Sequence, residues 1–157
     1  MSNPTTITAT PGEQVVDIER VINAPIADVY RAHTEADLYA KWIGPRGYDT
    51  VVSKFDVRDG GQWAFSQSGS DGVSFGFHGS FHSVQPLEGI VQTFEFEGAP
   101  GHVSLERVTF EDQGDTTMVR VHAVYQTVED RDAMIASGMA HGVTEGYERL
   151  DELLVRS

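Results

Sequence analysis

The 157-residue chain predicts an α+β domain, in which a curved antiparallel sheet of about seven strands wraps around a long C-terminal helix, with two short helices after the first strand. Three observations predict it. Apolar residues recur at helical spacing only in 26–42 and 128–154. Between those stretches, short runs rich in Val, Phe, Trp and Thr alternate with tight turns. Within the runs, aromatic residues share a parity, so each strand carries one apolar face that another element must cover.

The elements follow in order. Residues 1–13 lack a periodic pattern and are expected to be a flexible tail, leaving 14–157 as a single domain. Val15, Val16, Ile18, Val21 and Ile22 make the first strand, which Asn23-Ala24-Pro25 ends. Proline suits the first turn of a helix, and Ile26, Val29 and Tyr30 continue at helical spacing. Thr34-Glu35-Ala36-Asp37 has the pattern of a capping box for a second short helix, closed near Gly44-Pro45. Six strand runs follow at 48–57, 62–67, 73–84, 90–97, 103–111 and 116–125. Their connections are too short for parallel crossovers, so neighbours are antiparallel. Thr127-Val128-Glu129-Asp130 gives another capping pattern before the last helix, whose apolar stripe runs through Ile135, Met139, Val143, Leu150 and Leu154. Gly138, Gly142 and Gly146 fall four apart on this helix, and each costs about 1 kcal/mol of propensity relative to Ala. Their spacing predicts a close approach, to the sheet or to something held between helix and sheet.

Composition removes several classes of function. With 11 Lys+Arg against 24 Asp+Glu the net charge is −13, which disfavours a nucleic-acid footprint or an anionic membrane surface. The absence of cysteine excludes disulfides, thiolate metal sites and a cysteine nucleophile. No basic–apolar leader precedes the domain and no run approaches the ~18 apolar residues of a membrane span, so a cytoplasmic protein is expected.

The inward-facing rings Trp63, Phe65, Phe75, Phe77, Phe81, Phe94 and Phe96 are candidate linings of an apolar pocket, with Tyr125 beside them and Met139, Gly142 and Val143 facing them from the last helix. A filled core made of the same rings stands as the alternative. Trp42 is either a lid over the pocket entrance or the plug that docks the small helices. His78 and His82 share a face but lie ~13 Å apart along a strand, too far to share an ion, and no metal site is expected. Candidates for acid–base work are His122, Tyr125, Arg58 and His141. Tyr125 shares its side with Val119 and Val121, and His122 takes the other side. Arg58, beside Gly60-Gly61, either holds an anion or braces a hairpin. No catalytic triad order, phosphate loop or dinucleotide fingerprint is present, and no catalytic residue or cofactor is assigned.

Several motifs carry a family resemblance: Asn23-Ala24-Pro25, Trp42-Ile43-Gly44-Pro45, the hairpin Asp56-Val57-Arg58-Asp59-Gly60-Gly61-Gln62-Trp63, Gly79-Ser80-Phe81, Val108-Thr109-Phe110, and Gly138-Met139-Ala140-His141-Gly142 with Leu150-Asp151-Glu152-Leu153-Leu154. In order and spacing the chain resembles the helix-grip fold of the START, polyketide-cyclase and birch-pollen-allergen superfamily. More narrowly, it is similar to the C-terminal domain of the activator of the heat-shock-protein ATPase. The resemblance implies a cavity between sheet and long helix that takes lipid-, sterol- or polyketide-like molecules. A small hydrophobic or amphipathic ligand is therefore the expected partner of a non-enzymatic monomer or homodimer. The alternatives are a cyclase- or dehydratase-type enzyme using a cavity Tyr or His, and a protein-interaction module in contact with a chaperone. Chaperone-activating members carry a separate N-terminal domain, for which this chain is expected to have no room.

Overall fold

The computed structural model describes residues 3–155. Its elements are β1 (Thr5–Thr8), β2 (Val15–Ile22), α1 (Ile26–Thr34), α2 (Ala36–Trp42), β3 (Asp49–Phe55), β4 (Gln62–Ser68), β5 (Ser74–Gln85), β6 (Gly89–Phe96), β7 (Val103–Asp112), β8 (Thr117–Val124), α3 (Val128–Ala136) and α4 (Met139–Val155). The strands form one antiparallel sheet in the order β1-β2-β8-β7-β6-β5-β4-β3. From β3 to β8 each strand pairs with the next in sequence, as short turns require. Gly60, at φ 81°, makes the sharp turn into β4 that an L-residue would resist. The predicted fold class holds: a curved sheet, two small helices after β2, and a long helix at the C-terminus.

Three local expectations are corrected. The sheet has eight strands, because Thr5–Thr8, in the stretch expected to be a flexible tail, pairs with Asp17–Arg20 along the open edge of β2. Arg20 Nη1 donates to Thr5 Oγ1 at 2.8 Å, and Asn3 Nδ2 donates to Val21 O at 2.9 Å, which fixes this segment without an apolar run. The outermost two residues at each end of the chain lie outside the described residues.

The capping box at Thr34 does not form. Thr34 is the last residue of α1 and its hydroxyl donates to Tyr30 O at 2.9 Å, while Glu35 holds the N-cap position of α2 without a side-chain hydrogen bond. At Thr127 the cap is real, with Oγ1 accepting from the Asp130 N–H at 3.0 Å.

The C-terminal helix is interrupted. Ser137 closes α3, Gly138 takes φ 88°, and α4 starts at Met139. Gly138 is therefore a stop signal and not part of a glycine stripe. Gly146 does make a close approach, but to the end of α2 and the loop after it and not to the sheet, and Gly142 has room for an ordinary contact with that loop. A Cβ on Gly146 would lie 3.2 Å from Trp42 O and 3.3 Å from Gly44 N, and one on Gly142 would lie 3.5 Å from Pro45 Cδ.

The principal backbone contacts of α4 are with α1, α2, α3, β1 and β2. Where α1 and the C-terminal half of α4 meet β2 and β8 the core is sealed, with Val16, Ile22, Val29, Val119 and Leu150 fully buried. Arg20 is buried in the same region and bonds Asp151 of α4 across 2.9 Å. No helix among the described residues is long and apolar enough to cross a membrane.

Candidate functional site

Register places a short row of residues across the concave face of the sheet. Phe81 on β5 faces Gln92 on β6, Gln92 faces Glu106 on β7, and Glu106 faces Ala123 on β8. Glu106 lies on the inward side because it shares its parity with Ser104, Val108 and Phe110, all buried. A carboxylate in such a row meets a large desolvation cost unless it is paired. Glu106 receives one hydrogen bond, from Gln92 Nε2 to Oε1 at 3.0 Å. Among the described residues no ion pair or further side-chain hydrogen bond engages it. Burial raises the Glu106 pKa above the carboxylate range, and the Gln92 hydrogen bond offsets only part of that rise.

Other polar side chains feel or neighbour this carboxyl. Ser104, two residues before Glu106 on the same face, has a buried hydroxyl with no hydrogen-bond partner. Tyr39 from α2, Tyr147 from α4 and Tyr125 after β8 all have raised pKa values, first through burial and next through the negative charge of Glu106. Tyr39 stacks on Phe55 at 5.0 Å, and Tyr147 stacks on Trp42 at 5.9 Å, so both rings are positioned by aromatic neighbours. The sheet side is a continuous aromatic floor. Trp63–Phe65, Phe65–Phe77, Phe77–Phe94 and Phe77–Phe96 have centroid separations of 5.5, 5.2, 5.6 and 5.3 Å. Phe77, Phe94, Tyr39, Met139 and Val143 are only partly buried, in contrast to the sealed opposite end of the core.

The family model described as Activator of Hsp90 ATPase homolog 1-like protein matches residues 23–155. The chain belongs to this family. The Activator of Hsp90 ATPase homolog 1-like family is part of the START/polyketide cyclase-like superfamily, in agreement with the sequence resemblance. Solved structures share the fold. A protein from Rhodobacter sphaeroides superposes with a TM-score of 0.89 at 23% identity, covering 98% of this chain and 100% of that one. One from Arthrobacter aurescens gives 0.88 at 19% identity, with 97% and 92% covered. One from Mycobacterium smegmatis gives 0.87 at 20% identity, with 96% and 97% covered. No curated protein matches significantly.

In this family member the sequence-derived candidates divide into three groups. Phe65 and Tyr125 belong to the buried core together with Trp63 and Phe81, and Phe77, Phe94, Met139 and Val143 pack against it partly buried. Phe96 continues that floor toward the end of β6, where Phe75, 37% exposed, packs on Tyr48 and Phe96. Gly142 faces Pro45 rather than the rings. Trp42 is the plug: it is buried, its Nε1 donates to Ala32 O at 2.9 Å, and its ring meets His33 at 4.8 Å.

The other titratable candidates lie outside the interior. His122 bonds Asp17 at 2.6 Å on the convex face, and His141 sits 3.2 Å from Glu145 along α4. Arg58 braces its hairpin through Asp56 at 2.8 Å, beside an open depression of about 530 Å³. His78 lies between Glu95 and Glu97 at 3.3 and 2.9 Å, yet no group of three or more possible ligands among the described residues is arranged to hold a metal. Sequence reasoning passed over Glu106, Gln92, Ser104, Tyr39 and Tyr147. The available signal was strand parity: Glu106 alternates in step with Val108 and Phe110.

Trp63 shows how closely the floor is fitted. Its Nε1 donates to Thr93 O at 3.2 Å by passing over Gly79. A Cβ on Gly79 would run into the Thr93 carbonyl and lie 2.6 Å from Trp63 Nε1. Gly79→Ala is therefore expected to cost about 1–3 kcal/mol through overpacking and to shift the tryptophan emission to longer wavelength. Urea unfolding followed by fluorescence checks both, and a variant of unchanged stability and spectrum would contradict this account.

Proposed function

We propose that this protein binds a small, mainly apolar molecule with one polar end, held between the aromatic floor of the sheet and helices α2 and α4. The observation that carries the reading is Glu106, an inward carboxyl with a single protein hydrogen bond, set among partly accessible aromatic side chains. Pockets for small molecules combine such an apolar lining with a few converging polar groups. A ligand that removes ~300 Å² of apolar surface from water gains about 7.5 kcal/mol at ~25 cal/mol per Å², part of which is offset by lost freedom of motion. The polar end then sets orientation.

Native mass spectrometry of gently purified protein, followed by denaturing extraction, tests this directly. A stoichiometric apolar compound is the expected result. Titration with fatty acids, fatty amines, sterols and aromatic polyketides complements it, because the Trp42 and Trp63 rings flank the interior and report occupancy by fluorescence. A clean apo mass together with no saturable response to any compound would overturn the reading.

A second reading is favoured by the same carboxyl. A Glu with a raised pKa, whose charge acts on Tyr125, has the environment of a general acid, which suits cyclase- or dehydratase-type chemistry. His122 does not serve it, since it lies on the convex face with Asp17.

A further inference from the structure

We infer that Glu106 makes the interior selective for an amphiphile whose polar end is an amine, over one of equal length that ends in a carboxylate. This inference rests on the binding reading above and specifies the chemistry of the ligand's polar end.

Among the described residues the polar side chains placed around Glu106 are those of Gln92, Ser104, Tyr39, Tyr125 and Tyr147, and none of these is a cation. Gln92 spends one amide hydrogen on Glu106 Oε1, which leaves its second amide hydrogen as a donor and its carbonyl oxygen as an acceptor, neither of them charged. Ser104 contributes a buried hydroxyl without a partner. The nearest buried guanidinium groups are committed elsewhere. Arg20 bonds Asp151 and Thr5, and Arg131 bonds Thr10 O, Val15 O and Asp132. No cation acts to lower the Glu106 pKa, which burial raises. An ammonium placed against Glu106 supplies the missing counter-charge and forms a charge-assisted hydrogen bond. A carboxylate placed there meets a like charge, or must take up a proton itself.

The chain's net charge of −13 attracts any cation, so the local effect must be separated from the global one. Decylamine, decanol and decanoate share a chain length and differ at the polar end. Each is titrated below its micelle concentration at pH 7.5 and 0.5 M NaCl, where long-range attraction is screened, with tryptophan fluorescence and calorimetry as readouts. Decylamine is expected to bind at least tenfold more tightly than decanoate. In Glu106→Gln the amine advantage over decanol is expected to fall within about threefold. A cooperative urea-unfolding transition and a parent-like tryptophan spectrum show that the variant's interior is intact.

Decanoate binding as tightly as decylamine would overturn the selectivity and leave the binding reading standing. An amine preference that survives Glu106→Gln would overturn the role of Glu106 by assigning the preference to overall charge. Failure of all three compounds to bind the parent would overturn the binding reading, and this inference with it.

Discussion

Asp151→Ala is expected to cost about 3–5 kcal/mol of folding stability, the usual penalty for removing one partner of a buried ion pair. The carboxylate of Asp151 serves two donors at once. Oδ2 accepts from Arg20 Nη2 at 2.9 Å, and Oδ1 accepts from the Asn23 N–H at 2.8 Å where β2 gives way to α1. Arg20 is 2% exposed and also donates to Thr5 on β1, so one carboxylate joins both N-terminal strands to α4. Truncation leaves a guanidinium in the core without its counter-charge. For a chain of this size each kcal/mol moves the melting temperature by ~2–4 °C, so a fall of roughly 6–20 °C is expected by calorimetry. The paired change Arg20→Met with Asp151→Leu is expected to recover most of the loss, because it removes the charge along with its partner. A single variant that loses less than about 1 kcal/mol would contradict the assigned role.

The second large effect is a dependence of stability on pH. His33 is buried between Trp42 at 4.8 Å and Phe110 at 5.0 Å, with Nδ1 donating to Val29 O at 2.8 Å. Burial pushes its pKa down from 6.5 to about 4. Between those values the unfolded chain binds a proton that the folded chain refuses, so stability falls as the pH drops from about 6.5 to about 4. The loss is about 3 kcal/mol, since each pH unit in that window is worth ~1.4 kcal/mol for one proton. Glu106 acts in the opposite direction. Its raised pKa means that the folded chain keeps a proton that the unfolded chain has released, so stability also falls as the pH rises above the ordinary carboxylate range. Glu106→Gln removes that second slope. Urea unfolding of Glu106→Gln, with and without His33→Phe, from pH 4 to pH 8 isolates the histidine, since all other titrations are common to the pair. Stability of the variant that retains His33 should rise with pH by about 3 kcal/mol relative to the other. Parallel curves would show that His33 is not buried as described.

The sequence already contained the seven longer strands and both short helices, because each announces itself by local spacing and by the turn residues that bound it. What it concealed depends on tertiary partners. Thr5–Thr8 is a strand only because the edge of β2 is open beside it. Thr34 has a capping residue's chemistry but ends a helix instead, since its hydroxyl finds Tyr30 O one turn back. Gly138 and Gly142 are alike as letters, yet one bends the chain and the other packs against Pro45. At the site, the aromatic rings were legible from strand parity. Glu106 was not singled out, because a lone Glu in a strand is ordinarily read as solvated, and its burial requires α2 and α4 to supply Tyr39 and Tyr147 above it.

The pairing of β2 with β8 sets the timetable of synthesis. Val15 faces Val124 and Ile22 faces Thr117, so the first long strand, with only the four-residue β1 beside it, finds its second sheet neighbour after about 100 further residues have been made. At ~5–20 residues per second that interval is roughly 5–20 s, and α4, which holds Asp151, emerges later still. During it the hairpins from β3 to β7 have their partners at hand, whereas β2 must wait with Val16, Ile18 and Ile22 uncovered. On the ribosome, then, β8, α3 and α4 close the domain around a strand made about a hundred residues earlier.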